Sequence, residues 1–356
     1  LGFSFPITDQ AVFTSHYGKY VQRPSVRQTK SDESYDWFRE QLFNAMYFSP
    51  LANPNLEPPR TTEYQFGFKM RFGANASLKL QAFYKNQRDL ITYRIVQSVV
   101  GVPNATMWEN GDFATMKGFT ATFDLRRTNR VAANLRYTYQ TAKGSGSNSG
   151  SHYGIAWQGD TGGEAHFPRV VMPLAYDQRH RGSFNIDLRS QPDDGPELMG
   201  HHIFGNVGLN LLYEFHSGSP YNRIPLGGAF SEIEGYNAPP PIEKPYSSRK
   251  PWVSQLNAKL SKRFQAGPVG VLVYLRAFNL LNQKSFDNIF NQTGRPDTDG
   301  WLGTTAGKER IESKKDINGV DYRDDYVNWY HAILTNCGTY GWQAPREIRF
   351  GLRLEI

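Results

Sequence analysis

The dominant feature of this chain is a long alternation of apolar and polar residues with a period of two. At the C-terminus every second residue from Ile348 to Ile356 is apolar, and arginine, glycine or glutamate stands between them. Residues 61–72, 118–127, 133–140 and 184–189 repeat the pattern. Successive side chains of a β-strand point to opposite faces, so each segment predicts a strand with one apolar face and one polar face.

Strand length separates the two folds that show this alternation, a soluble β-sandwich and a transmembrane β-barrel. Soluble strands cluster near about five or six residues, whereas a tilted strand that crosses a bilayer needs about nine to eleven. Most segments here keep the pattern for roughly ten residues or more. The sequence therefore predicts an all-β fold, a transmembrane antiparallel β-barrel. It has about eleven strands, near residues 1–5, 11–20, 61–72, 77–95, 113–128, 131–143, 179–190, 206–217, 251–264, 269–282 and 345–356.

The linkers between these strands alternate between short and long. The short ones are 6–10, 73–76, 129–130, 191–205 and 265–268, and the long ones are 21–60, 96–112, 144–178, 218–250 and 283–344. Outer-membrane barrels have short periplasmic turns and long extracellular loops, whereas a sandwich or a propeller gives no reason for every second connection to be long. The long linkers are therefore predicted to lie on the external side.

An odd number of strands does not make a complete single-chain bacterial barrel. An open sheet edge in lipid would leave backbone groups unpaired at several kcal/mol each. We therefore expect further strands, either upstream in the same polypeptide or in a partner chain.

Composition excludes several other classes of protein. No run of about 18 apolar residues exists, which excludes a helical membrane protein, and the 14 % aromatic content argues against a disordered chain. The single cysteine, Cys337, excludes a disulfide framework. The net charge of +7 comes from scattered lysines and arginines, so no nucleic acid partner is predicted. The chain shows no Ser-His-Asp order and no H-E-x-x-H motif, and we expect no enzymatic activity.

A set of short motifs gives the chain a family resemblance. Each is weak alone, but their order and spacing together are fairly specific. They are YGKYVQRP at 17–24, NPNL at 53–56, TEY at 62–64, KGF at 117–119, LRYTYQTA at 135–142, DQRH at 177–180, SGSPY at 217–221, NLLN at 279–282 and PR at 345–346. In these motifs the chain resembles the C-terminal half of the barrel of TonB-dependent outer-membrane receptors, which are plugged barrels of about 22 strands.

The resemblance implies a location and a function. Residues 1–356 would form the C-terminal part of one barrel domain in the bacterial outer membrane, with an N-terminal plug and the early strands outside this chain. Its partners would be outer-membrane lipid, the plug and N-terminal barrel half, and the TonB complex, which energises uptake of a substrate bound at the external loops and plug. Two alternatives stay open: a structural or docking barrel completed by another chain, and a passive porin. The chain departs from the family pattern in ending with Ile356 instead of phenylalanine.

The last long linker holds the candidate ligand residues. The segment from Asp297 to Gly300 begins like a calcium loop, with Asp297 and Asp299 as candidate ligands. The nearest later acid, Glu309, is one position from where such a loop needs it, so a polar turn is the preferred interpretation and no resident cofactor is expected. The aromatic residues of the same linker are candidates for stacking on a ligand or for packing the loop: Tyr322, Tyr326, Trp329 and Tyr330.

The two faces of the predicted strands have different expected roles. Aromatic residues on the apolar face predict girdles at the two membrane interfaces: Tyr64, Phe68, Phe72, Tyr137, Tyr139, Tyr213, Phe215, Trp252 and Phe264. The last strand presents lipid-facing residues that we expect to support membrane insertion: Phe350, Leu352, Leu354 and Ile356. Basic residues on the polar face would line the lumen, where they would pair with a plug or favour anionic solutes: Lys69, Arg71, Arg126, Arg136, Lys259 and Arg263.

Overall fold

The computed structural model describes residues 1–29, 50–96, 105–151, 170–198, 201–226, 241–266, 269–313, 323–328 and 341–355. Within them lie eleven long strands, which confirms the predicted strand set. They are β1 (Gly2–Thr8), β2 (Ala11–Val21), β3 (Arg60–Phe72), β4 (Ala76–Val96), β5 (Ala105–Thr128), β6 (Val131–Gly144), β7 (His180–Arg189), β8 (Val207–His216), β9 (Val253–Ala266), β10 (Val269–Phe278) and β11 (Glu347–Glu355).

The remaining elements are short and lie in the connections. Two- and three-residue strands pair as Glu197–Leu198 with His201–His202, Pro220–Tyr221 with Ser248–Arg249, and Phe286–Asn288 with Gly341–Trp342, while Met172–Pro173 pairs with the end of β6. The helices are α1 (Val26–Thr29), α2 (Thr305–Ser313) and a helical stretch at 323–328. A 3₁₀ turn (Trp301–Gly303) precedes α2. No helix among the described residues is long and apolar enough to cross a bilayer.

The eleven long strands form one antiparallel sheet in which chain order and spatial order are the same. Each strand pairs with the strands before and after it in sequence, and β1 and β11 are the two edges of the described sheet. This is the meander expected of an up-and-down barrel wall, and the short and long connections alternate as predicted. The described sheet is open.

The register keeps one apolar face continuous across the whole sheet. One row of directly opposed residues crosses β1 to β6 as Phe5, Phe13, Phe68, Leu80, Ala121 and Tyr137. A second crosses β6 to β11 as Val131, Leu188, Leu209, Leu260, Leu275 and Phe350. Large apolar side chains in both rows are exposed, which is the state expected of a surface made for lipid.

The first boundary difference concerns the β4–β5 hairpin, which is longer than predicted. β5 begins at Ala105, within the predicted 96–112 loop, because its register with β4 resumes beyond a bulge near Leu90. The ring centroids of Tyr93 and Trp108 lie 4.7 Å apart across this extension. This aromatic contact stabilises the extension, which lacks the apolar alternation of the other strands.

The second difference concerns β10, which ends at Phe278, before the predicted residue 282. Asn279 takes a positive φ of 49°, a conformation that asparagine tolerates better than most residues and that breaks the strand. Its side chain then holds the following turn, since Asn279 Oδ1 accepts a hydrogen bond from the Gln283 amide at 2.9 Å. The predicted strand included this turn because NLLN is apolar at its centre.

Candidate functional site

The polar face of the sheet forms a concave wall, as the sequence predicts for a lumen. A groove of about 740 Å³ lies on this face across β4 to β9, and its lining includes Thr120, Arg136, Gln140, Arg181, Glu214 and Gln255. The lining combines amide, hydroxyl and charged groups of both signs with a few apolar residues. A surface of this composition suits water, a polar solute or a hydrophilic protein domain.

Neighbouring side chains on this wall satisfy one another. Lys85 Nζ lies 3.1 Å from Glu63 Oε1, and the Glu63 side chain is 8 % exposed. Thr120 and Thr138 hydroxyls are 3.0 Å apart, and Asn210 donates to Asn185 Oδ1 at 2.8 Å. These cross-strand pairs stabilise the wall, and its remaining polar groups stay on the polar face of the sheet.

A second pocket lies at the external end of β4 to β6, with a volume of about 490 Å³. Its lining is mostly neutral and polar, including Gln22, Gln28, Gln87, Asn148, Ser149 and Tyr176, with Arg23 and Asp112 as its charged members. Asp112 is 3 % exposed, and its Oδ1 accepts a hydrogen bond from Ser145 Oγ at 2.7 Å. Burial raises the pKa of Tyr176, so this phenol stays protonated as a hydrogen-bond donor. The pocket has the size of a small-molecule site.

A buried carboxylate anchors the external connections between β6 and β9. Asp177 is 1 % exposed; its Oδ1 accepts the Ala142 amide at 2.8 Å and its Oδ2 pairs with Arg249 Nη2. Arg249 Nη1 also donates to the Asp177 carbonyl at 2.7 Å. We call Asp177 and Arg249 the rim clamp, because they join connections that are 72 residues apart in sequence.

The residues around the rim clamp are closely packed. Leu174 is fully buried against Ala114 and Ala142. A Cβ on Gly218 would lie 1.6 Å from the Lys250 carbonyl oxygen, so only glycine fits there. The sequence motifs DQRH and SGSPY identified this region but gave Asp177 no role. Its partner, Arg249, lies in no recognised motif, so only the three-dimensional fold reveals the pair.

The candidate calcium residues already have protein partners. Arg295 donates two hydrogen bonds to the Asp297 carboxylate, from Nε to Oδ1 and from Nη2 to Oδ2, each at 2.9 Å. That arginine lowers the pKa of the Asp297 carboxyl. Asp299 is 5 % exposed and accepts hydrogen bonds from the Trp301 amide at 2.9 Å and from Tyr326 Oη at 2.8 Å. No group of three His, Cys, Asp or Glu able to hold a metal occurs among the described residues. The preferred interpretation of this segment as a polar turn without a resident calcium ion stays a prediction.

The loop aromatics and the last strand are placed only in part. Tyr326 is 6 % exposed and stacks on Trp301 with centroids 4.9 Å apart, while Tyr322, Trp329 and Tyr330 lie outside the described residues. Stacking on a ligand stays a prediction. Phe350, Leu352 and Leu354 are exposed on the apolar face by 72, 56 and 61 %, and Ile356 and Cys337 lie outside the described residues. The role of the last strand, from Phe350 to Ile356, in membrane insertion also stays a prediction.

The fold and the two faces define an outer-membrane barrel wall, and sequence comparison identifies its family. The model of the TonB dependent receptor-like β-barrel family matches residues 1–280, and the chain belongs to this family. The chain is therefore part of an outer-membrane protein. No curated protein sequence matches it.

Three solved structures illustrate the likeness. The receptor FpvAI in its complex with pyocin S2 is 10 % identical with a TM-score of 0.50, over 99 % of this chain and 32 % of that chain. The ferric-catecholate import receptor Fiu of E. coli K12 is 13 % identical with a TM-score of 0.49, over 83 % and 32 %. The outer membrane transporter YddB of Escherichia coli is 15 % identical with a TM-score of 0.48, over 77 % and 35 %. Identities this low show the fold alone, and the chain spans about a third of the length of these proteins.

Proposed function

We propose that the chain is the C-terminal half of the barrel of a receptor that takes up a substrate through the outer membrane with energy relayed by TonB. The observation that carries this proposal is membership in the TonB-dependent receptor family over residues 1–280. The polar, concave wall supports it, because that surface would face a plug domain and a solute path.

Within this proposal the external pocket is where the substrate first makes contact. It lies at the external end of the wall and is lined by both hydrogen-bond donors and acceptors. The wall below it then offers charges of both signs, among them Arg136, Arg181 and Glu214, to the plug that would occupy the bore. The chain acts by binding and gating, without covalent chemistry.

The test uses the complete receptor gene in its own host. We expect a deletion of this gene and a deletion of the tonB gene to abolish growth on the same nutrient, from a panel of single carbon and iron sources. The purified receptor should be closed to ions in a planar bilayer, and removal of its plug should open it. A steady conductance of the intact protein would indicate a passive porin. A gene whose loss leaves every TonB-dependent nutrient usable would indicate a structural barrel.

A further inference from the structure

The external end of β4 extends beyond its neighbour β3. The β3–β4 ladder ends at the pair Arg60 and Arg88, whereas β4 continues to Val96 and pairs there with β5. In the part of the chain that the structure describes, no strand pairs with the opposite edge of residues 90–96. We call this edge the open edge of β4. Backbone groups along an unpaired strand edge are a template for one more strand.

The sequence explains why β3 does not continue along β4. Pro58 and Pro59 come directly before β3, and proline has no backbone N–H to donate to a ladder. The preceding residue, Glu57, is instead joined to β5: its amide donates to Asn110 Oδ1 at 2.7 Å, and Asn110 Nδ2 donates to its carbonyl at 2.7 Å. Residues 57–59 therefore do not extend the ladder along the open edge of β4.

The external pocket lies beside the open edge of β4. Leu90 and Ile91 line one side of the pocket, and Gln22, Gln28 and Pro59 of the β2–β3 connection line another. Its volume of about 490 Å³ is in the range of small-ligand sites. A ligand strand that paired with this edge would direct alternate side chains into the pocket.

The chemistry of the lining suits a peptide. The carboxamides of Gln22 and Gln87 both donate and accept hydrogen bonds, as a peptide group does. Leu90 and Ile91 add apolar surface for side chains. Tyr176 is the single aromatic residue among the described residues that line the pocket, so a sugar ring would find little surface for stacking. The lining therefore favours a peptide over a saccharide.

Arg23 gives the pocket a preference for negative charge. The residue is exposed, and it forms no ion pair with any residue that the structure describes. The other charged member, Asp112, is 3 % exposed and accepts a hydrogen bond from Ser145, so its carboxylate is largely hidden from a ligand. An exposed guanidinium forms charge-assisted hydrogen bonds to a carboxylate. The pocket therefore favours an acidic side chain over a basic one.

We propose that the receptor binds an extended acidic oligopeptide, which adds to the sheet as a strand along the open edge of β4. The inference rests on the proposed function, because it names the class of substrate to be taken up. At about 3.4 Å per residue the open edge spans roughly 24 Å, which fits a peptide of about five to seven residues. Hydrogen bonds to the strand edge supply affinity without regard to sequence, and the pocket selects among side chains.

The experiment titrates the purified full-length receptor, in the absence of TonB, with four probes. They are a hexapeptide of alternating glutamate and valine, two forms of it that are N-methylated at alternate residues in one phase or the other, and a neutral trisaccharide. In a strand added to a sheet edge, alternate residues direct their N–H groups to the sheet. Methylation of that set should weaken binding at least about a hundredfold, since several hydrogen bonds are lost together. Methylation of the other set should leave binding unchanged, and the trisaccharide should not bind.

Equal effects of the two methylated peptides would overturn the proposal, because recognition would then not use a strand edge. Binding of the trisaccharide without binding of any peptide would overturn it as well. These probes change the ligand alone, so no variant has to fold. The dependence of growth on the tonB gene is measured separately, so the substrate class and the uptake function can fail independently.

The charge preference is tested with Arg23→Gln. This variant should bind the acidic hexapeptide about tenfold more weakly, since it loses a charged hydrogen bond, and should bind a hexapeptide of alternating glutamine and valine as wild type does. Arg23→Lys should retain most of the affinity. The matched control is Lys19→Gln, which removes an exposed cation from the outward face of β2 and should leave binding of both peptides unchanged. Equal losses in Arg23→Gln and the control would overturn the selective role of Arg23.

Discussion

The external rim of the sheet uses the same residue types in opposite ways on its two sides. On β2 to β6, four exposed cations point outward and have no ion-pair partner among the described residues: Lys19, Arg88, Lys117 and Lys143. Beside β7 to β9 they belong to internal contacts. Arg249 pairs with buried Asp177, Arg179 Nε lies 3.8 Å from the same carboxylate, and Lys250 Nζ donates to Asn288 at 2.8 Å.

The difference shows that the surroundings of a basic residue, and not its identity, decide its role. A guanidinium beside a buried carboxylate is needed to neutralise that carboxylate, and the fold depends on it. A cation on the outward face contributes little to the fold and is available to a ligand. The two sides should therefore respond differently to loss of charge.

The largest expected effect comes from breaking the rim clamp. Arg249→Met leaves Asp177 buried without its main partner, and we expect a loss of about 3–5 kcal/mol in the free energy of unfolding. Arg179→Met is the matched control: its side chain is 45 % exposed and the contact is long, so the loss should stay below about 1 kcal/mol. Denaturant unfolding of the full-length receptor measures both. Similar losses for the two variants would show that the buried and the exposed arginine contribute equally to the stability of the fold.

The second prediction concerns the depth at which an outward cation is tolerated. Leu80→Arg on β4 and Leu352→Arg on β11 place a charge at mid-depth and should cost about 2–4 kcal/mol, although Arg88 is present further along β4. Gln81→Arg, on the polar face beside Leu80, is the control and should assemble normally. The assembled fraction in the outer membrane is the measurement. Normal levels of both lipid-face variants would reverse the assignment of faces.

The third prediction tests the packing that surrounds the rim clamp. Gly218→Ala forces a methyl group onto the Lys250 carbonyl and should cost about 1–3 kcal/mol. Gly303→Ala, where nothing lies within 4 Å of the added carbon, should change stability by less than about 0.5 kcal/mol. Thermal unfolding of the two variants side by side distinguishes a crowded rim from an open one.

The smallest effect is a dependence of stability on pH. Burial lowers the pKa of Lys250, so between that lowered value and the usual value of about 10.4 the unfolded chain binds more protons than the folded one. Stability therefore rises with pH in this window and loses that increment as pH falls through the folded-state pKa. The difference in stability between wild type and Lys250→Met should grow in favour of wild type as pH rises toward about 10. If the free energies of unfolding of the two proteins changed with pH in parallel, Lys250 would titrate in the fold as it does in water.

The sequence predicted the wall of the barrel and missed the contacts above it, for physical reasons. Alternation is a local signal, so it gave eleven strands and the outward face of Phe350, Leu352 and Leu354. The rim clamp joins residues 72 positions apart, and no periodicity reports such a pair. Likewise, the segment from Asp297 to Gly300 looks like the start of a metal loop, and only the fold brings Tyr326 to the Asp299 carboxylate.

The agreement between chain order and spatial order has a consequence for biogenesis. In the described sheet each long strand after β1 has the preceding long strand as its neighbour, so a growing wall presents one free edge to the next hairpin. Such a wall can enter a bilayer in successive hairpins, because each described strand from β2 to β11 pairs with the strand just before it in the chain. Local connectivity thereby shortens the search that long-range pairing would impose, and it limits how long unpaired amides face hydrocarbon.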